Sequence, residues 1–182
     1  EIALKSDIKH IYVDSYSLNK EEDKQKINTL NFDIIWVAGW QRLIPSWLID
    51  KSKLGALGGH GSPDGIYGGR GRSPQNWALI LGAKRFDIAV FKITSGIDDG
   101  PIVAERSFFY NESDNIQTSY FKVSLCMADM IYEILGNLQM LNQARIQPLK
   151  HRYYPQRIPE DGYLDWNQDS KSLTRFCNAL TK

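Results

Sequence analysis

Sulfur and histidine are scarce here, with two cysteines, three methionines and three histidines among 182 residues. Cys126 and Cys177 lie far apart, with no CxxC and no ligand cluster beside them, which argues against a disulfide framework or a structural zinc site. Both are read as buried or neutral thiols. Charge of one sign is also missing: 22 Lys and Arg stand against 21 Asp and Glu, net +1, so no global field draws in nucleic acid or an anionic membrane. No apolar run approaches the roughly 20 residues that span a bilayer, and the opening EIALKSDIKHIY has no signal-peptide core, so a cytoplasmic location is the default expectation. Repeats and low-complexity tracts are absent as well. At 182 residues and 42% hydrophobic content, one well-buried domain over residues 1–182 is expected.

What the chain does have is glycine, concentrated in one place. From Gly58 to Trp77 the sequence reads GGHGSPDGIYGGRGRSPQNW, and ordering that many glycines is entropically unfavourable. Around His60, Ser62 and Arg70 they predict special torsions or a close ligand, hence the floor of an active site. A second segment, FDIAVFKITSGIDDGPIVAERSF (Phe86 to Phe108), places two β-branched apolar runs around turn formers and predicts an antiparallel hairpin near residues 86–109. Its loop, Thr94 to Gly100, carries Asp98 and Asp99. Whether His60 meets either carboxylate is a matter of the fold, which spacing alone does not give.

Elsewhere the pattern predicts strands over Ile8 to Val13, Phe32 to Val37 and Leu54 to Gly58, with a surface helix between Asn19 and Leu30. This reads as an α/β, Rossmann-like open sheet, mostly parallel and flanked by helices. It sets His60 just beyond a strand's carboxyl end, where such folds bind ligands. Ser73 and Pro74 resemble an N-cap and a first helical residue, for a helix reaching about Leu81. Asn111 to Asp114 offer capping chemistry to a long amphipathic helix whose stripe runs through Ile116, Tyr120, Val123, Met127, Met130 or Ile131, Ile134 and Leu138. Residues 147–166 form an ordered surface excursion, and a last helix covers Ser170 to Leu180.

These motifs resemble the 10-formyltetrahydrofolate-dependent formyltransferases, the family of methionyl-tRNA formyltransferase and the sugar N-formyltransferases. The family pattern is Asn-x-His-Pro-Ser, then Arg-Gly, Pro, Trp-Ala and later Asp-x-Gly. Here His60, Ser62, Arg70-Gly71, Pro74, Trp77-Ala78 and Asp98-Asp99-Gly100 follow in that order. VAGWQRLIPSWLID (Val37 to Asp50) looks like the family's pterin-binding turn, and RIPEDGYLDW (Arg157 to Trp166) like its Arg-x-Pro-Glu-Asp-Gly signature. Two departures stand out. Gly58 occupies the place of the family's catalytic Asn, and Gly61 that of the Pro after the histidine. The family's first strand, helix and strand have no counterpart before Glu1, so the domain is expected to lack them.

The resemblance implies transfer of a formyl group from 10-formyltetrahydrofolate to a primary amine, with no metal. His60 and Asp98 would be catalytic: the imidazole handles a proton near neutral pH and the carboxylate steadies its charged form. Arg42, Leu43, Ile44, Ser62, Thr94, Ser95, Gly96 and Ile97 would bind the folate, and Arg70 and Gly71 the acceptor. Arg70 and Arg72 suit an anion equally well as plain surface charge, Trp40 and Trp77 a flat ring or core volume, and Asp99 solvent. His10 and His151 are read as structural. The acceptor is expected to be a nucleotide-linked amino sugar; with neutral charge and an ending near Lys182, a nucleic-acid partner is disfavoured. Alternatives are the catalytic part of a methionyl-tRNA formyltransferase and a folate-binding module that has lost turnover. A homodimer is an open expectation.

Overall fold

The structure is a computed structural model that describes residues 8–40, 42–148 and 152–181; His151 lies outside these. Its main sheet has four strands in the order β1 (Ile35–Val37), β2 (Ala56–Ser62), β4 (Arg85–Lys92) and β5 (Ile102–Phe109). A two-stranded parallel ribbon joins β3 (Arg70–Gly71) to β6 (Tyr153–Tyr154). Five α-helices are described: α1 (Glu21–Asn28), α2 (Ser46–Ile49), α3 (Pro74–Ile80), α4 (Ile116–Gly136) and α5 (Ser170–Leu180).

The α/β class, the flanking helices, the hairpin and the closing helix agree with the sequence reading. The sheet is mixed rather than mostly parallel, because only β1–β2 pairs in parallel while β2–β4 and β4–β5 are antiparallel. The reason lies in the connection after β2: it leaves from Ser62 and returns at Arg85, so β4 starts where β2 ended. The expected strand over Ile8 to Val13 is also absent. The backbone N–H groups just after it, of Asp14 and Ser15, donate instead to the fully buried Asp23 carboxylate at 2.6 and 2.9 Å, which ties this segment to α1.

Helix α4 covers one face of the sheet. Leu57, Ile88 and Val90 on that face pack with Met130 and Ile134 of the helix. Of the predicted stripe, Ile116, Met130 and Ile134 are buried, whereas Tyr120 and Leu138 are exposed. Its cap is Asn115, one residue past the expected cluster: the Asn115 side chain accepts from the Gln117 and Thr118 amides at 3.0 Å, and Thr118 Oγ1 accepts from the Asn115 amide at 2.9 Å. Ser73 precedes α3 in left-handed backbone with no side-chain cap, so Pro74 alone starts that helix as predicted. Both cysteines are free. Burial pushes the Cys126 thiol up, in keeping with a neutral thiol, while Cys177 is exposed rather than buried.

The glycines of β2 have a packing explanation. Gly58, Gly59 and Gly61 are absent from the positive-φ positions, so no special torsion is required of them. A Cβ on Gly61 would lie 2.4 Å from the buried Phe86 ring and 2.8 Å from the Asp87 carbonyl oxygen, whereas one on Gly58 would meet only the Ile93 side chain at 3.3 Å and Phe91 at 3.5 Å. We therefore expect Gly61→Ala to destabilise the protein by about 1–3 kcal/mol in urea unfolding through overpacking. Gly58→Ala should stay within about 1 kcal/mol of the parent, since the lost glycine entropy offsets a mild contact.

Candidate active site

Alternation along β2 decides where His60 goes. Gly59 faces α4, where a Cβ would run into Met127, so Gly58 and His60 look out on the opposite face. The register sets them beside Phe91 and Ala89 of β4. His60 is thus a strand residue rather than a loop residue, and its side chain is only 11% exposed. Its Nε2 lies 3.0 Å from the Gly69 carbonyl oxygen. A carbonyl only accepts, so Nε2 is the donor in this contact. Nδ1 faces Asp98 Oδ2 at 3.6 Å.

Asp98 comes from the β4–β5 loop, where it adopts φ +49°, a left-handed conformation that Asp tolerates better than most residues. The loop is braced internally. Thr94 Oγ1 donates to the Asp99 carboxylate and accepts from the Gly96 amide at 3.3 Å, so Asp99 is exposed yet holds the turn rather than being free in solvent.

His60 and Asp98 lie on the wall of a cleft of about 1000 Å³. Arg42, Leu43, Ile44, Thr94, Gly96, Ile97 and Gly71 also line it, as the sequence reading expected. Ile44 is buried, and Leu43 and Ile97 are more than half exposed at the mouth. Trp40 is on the wall too, its ring stacked on Tyr16 at 4.4 Å between centroids, with the Arg42 guanidinium 6.0 Å from the Tyr16 ring.

Three expected residues fall outside this lining. Ser62 is fully buried at the end of β2, where its Oγ accepts from the Asp64 amide at 3.1 Å. Ser95 is exposed and off the wall. Arg70 is 3% exposed and donates to Gln147 Oε1 at 2.8 Å, so its guanidinium is spent inside the protein while Arg72 reaches the cleft. Regular alternation would put residues 70 and 72 on one side; Gly71, at φ +104°, breaks the strand between them and lets the two side chains part. Trp77 is off the wall as well: it stacks on Tyr154 at 5.9 Å and donates to the Pro155 carbonyl at 3.1 Å. His10 is structural in the sense expected, with Nδ1 3.4 Å from the Ile8 carbonyl and an edge contact to Tyr12.

Sequence reading missed Phe91 and Ile93, which form apolar wall, and Ser17, Asn19 and Tyr153, which reach the cleft from distant segments. The alternation of FDIAVFKI places Phe91 and Ile93 on the face of Ala89 and so carried a signal; Ser17, Asn19 and Tyr153 carried none. Among the described residues no group of three His, Cys, Asp or Glu side chains could hold a metal ion, and no helix is long and apolar enough to cross a membrane.

Fold and site together define a cleft-bearing α/β domain with a His–Asp pair at the mouth of its sheet, and the comparisons place it. Residues 3–126 match the family described as Formyl transferase, well over half of the chain, and the protein belongs to that family. A bifunctional polymyxin resistance protein ArnA from Wigglesworthia glossinidia brevipalpis is 32% identical over 86% of this chain and 24% of its own length. A methionyl-tRNA formyltransferase from Caldanaerobacter subterraneus subsp. tengcongensis is 29% identical over 99% of this chain and 58% of its own. The chain thus spans a quarter to about three fifths of these relatives. In fold it resembles HypX from Aquifex aeolicus, solved with tetrahydrofolic acid, at a TM-score of 0.68, 23% identity and coverage of 82% of this chain and 26% of that one. The formyltransferase PseJ from Anoxybacillus kamchatkensis, solved with UDP-4,6-dideoxy-4-formamido-L-AltNAc and tetrahydrofolate, superposes at 0.61 with 20% identity, covering 82% and 78%.

The two loop arginines should separate cleanly. Arg70→Ala leaves Gln147 Oε1 without its charged donor and is expected to lower stability in urea unfolding by about 2 kcal/mol or more. Arg72→Ala should leave unfolding within about 0.5 kcal/mol of the parent, as surface substitutions do.

Proposed function

We propose that this chain is one catalytic formyltransferase unit, and that the protein carrying it moves a formyl group from 10-formyltetrahydrofolate to a primary amine of a nucleotide-linked amino sugar. The observation that carries this reading is the pairing of His60 with Asp98 on the wall of a cleft of about 1000 Å³. That volume is at the upper end of small-molecule sites, roughly 300–1,000 Å³, and suits a long ligand or two at once. One side is apolar, through Ile44, Val37, Phe91 and Ile93, as a flat pterin requires. Among the described residues the charged side chains on the wall are Arg42, Arg72 and Asp98, two cations to one anion, which suits the carboxylates of a folate tail and a diphosphate.

The bound folate supplies the formyl carbon. The residues of this chain supply position and proton handling. In the neutral imidazole, with Nε2 donating, Nδ1 of His60 holds the free lone pair and takes the proton that the attacking amine gives up. Asp98, facing that nitrogen, would stabilise the imidazolium so formed, which passes the proton to the folate nitrogen as the bond from that nitrogen to the formyl carbon breaks. Gly58 offers no amide where the family pattern has Asn. An oxyanion donor of that kind is worth about 3–4 kcal/mol in a transition state, so turnover is slower than in relatives that keep it unless a backbone N–H serves. Leu43, Ile44 and the 94–97 loop enclose the pterin, and Gly71 with Arg72 faces the acceptor. A cytoplasmic location and a folate-charged donor pool belong to the same reading.

Two specific observations favour rivals. The methionyl-tRNA formyltransferase relative aligns along 99% of the chain, which supports a tRNA acceptor. Gly58 supports a folate-binding module without turnover. Calorimetry with 5-formyltetrahydrofolate on the full-length protein is expected to show saturable one-site binding, and absence of binding by folded protein overturns the assignment. Formyl transfer is expected with UDP- or dTDP-amino sugars; transfer only to charged initiator tRNA overturns the sugar acceptor, and binding without transfer selects the module.

Within the same assay, His60→Ala should lower kcat by about 100-fold or more, the usual scale of general acid–base help. The thermal melt should stay near that of the parent, because the side chain gives up one bond, to the Gly69 carbonyl. A variant keeping more than about a tenth of parental kcat contradicts the role.

A further inference from the structure

Gln147 lies outside the motifs that point to the cleft, yet it is 6% exposed and its amide is committed at both ends. Nε2 donates to the backbone carbonyls of Asp98 at 3.0 Å and Gly100 at 2.7 Å, while Oε1 accepts from the Arg70 guanidinium at 2.8 Å. The partners fix the orientation of the amide. Two carbonyls need donors and a guanidinium needs an acceptor, so a flipped amide would face all three wrongly. Gln147 arrives there through a short antiparallel bridge in which the Ile102 and Arg145 backbones exchange hydrogen bonds of 2.8 Å, next to the end of the loop it grips.

The gripped loop needs that restraint. Asp98 is one of three non-glycine residues at positive φ among those described, a conformation that persists only when its surroundings over-determine it. Relaxation of its φ and ψ would swing the carboxylate away from the 3.6 Å separation from His60 Nδ1. Arg70 is the anchor behind the clamp: it is 3% exposed, its Nε has no hydrogen-bond partner, and its backbone N–H is held by the Arg152 carbonyl at 2.8 Å. Among the described residues the charged groups on the cleft side of His60 are the Asp98 carboxylate and the Arg42 and Arg72 guanidinium groups, and Gln147 bonds Asp98 through its backbone carbonyl alone.

We propose that Gln147 is a positioning residue of the site: its amide, anchored on buried Arg70, holds the Asp98 backbone in the left-handed conformation that points the carboxylate at His60. The proposal rests on the formyltransferase reading for its kinetic consequences and not for its structural ones.

The test is Gln147→Glu in the full-length protein. Glu keeps the acceptor for Arg70 but replaces the donor with lone pairs against the two loop carbonyls. We expect kcat for formyl transfer to fall tenfold or more, with a smaller change in KM for the folate donor and a melting temperature that falls below the parent's but stays above the assay temperature. In an Asp98→Asn background the same substitution should change kcat less than twofold, since there is no carboxylate left to position. The ring proton–carbon NMR signal of His60 at fixed pH should move in Gln147→Glu toward its place in Asp98→Asn. A kcat within twofold of the parent, an equal loss in the Asp98→Asn background, or an unmoved His60 signal overturns the proposal. Should Gln147→Glu fail to fold, Gln147→Met, similar in volume and without an amide, is judged on the same readouts. Should the parent protein transfer no formyl group, the formyltransferase reading fails alone and the NMR comparison decides the positioning role.

Discussion

Strand β2 is hydrogen-bonded along both edges, in parallel to Ile35, Trp36 and Val37 and in antiparallel to the run from Asp87 to Lys92. With both edges taken, its register is locked, and a slip of one residue would turn His60 toward α4 and Gly59 toward the cleft. The lock is reinforced from the sides. Met127 leaves no room above Gly59, and Phe86 with the Asp87 carbonyl leaves none at Gly61. On the α4 face β2 therefore has room for the Leu57 side chain but for none at Gly59 or Gly61, while the opposite face has room at Gly58 and carries His60 and the buried Ser62.

From that fixed strand the site is assembled by loops that must come to it. The β4–β5 loop reaches His60 because β4 pairs with β2 in the register Ala89 opposite His60, which brings the far end of the hairpin to the cleft mouth. The loop's own bonds, from Thr94 to Asp99, close the turn but leave Asp98 to be held from outside, by Gln147. The arginines divide the work. Arg70 is buried as an anchor and Arg72 lines the cleft, so two adjacent-looking charges in GGRGR are placed in different surroundings.

Among the described residues the arrangement is modest in number of parts: one imidazole, one carboxylate, two cations and an apolar wall. Such a set handles a single proton and orients anionic ligands, which is what moving an acyl-like carbon between two nitrogens demands. The absent amide at Gly58 is the one place where local sequence and the demands of that chemistry disagree. Its backbone is ordinary strand, so the departure is one of side chain and not of conformation.

By itself the sequence determined the α/β class, the hairpin, the last helix and the ordered motif set that marks the family, because each rests on local periodicity or on residues close together in the chain. It also named His60, Asp98, Arg42, Leu43, Ile44, Ser62, Arg70, Gly71 and the 94–97 loop, of which all but Ser62, Arg70 and Ser95 reach the cleft. Only tertiary structure decided the rest. Ile8 to Val13 pairs with no strand among the described residues, and the backbone just after it is tied to α1 by the Asp23 carboxylate, eight and nine positions on. Which way β4 runs depends on where the excursion after Ser62 returns. Which of Arg70 and Arg72 lines the cleft depends on a two-residue ribbon formed with Tyr153 and Tyr154, more than 80 positions away. The clamp at Gln147 is of the same kind: its partners at 70, 98 and 100 are chosen by long-range packing, and no local pattern encodes hydrogen bonds between residues so far apart.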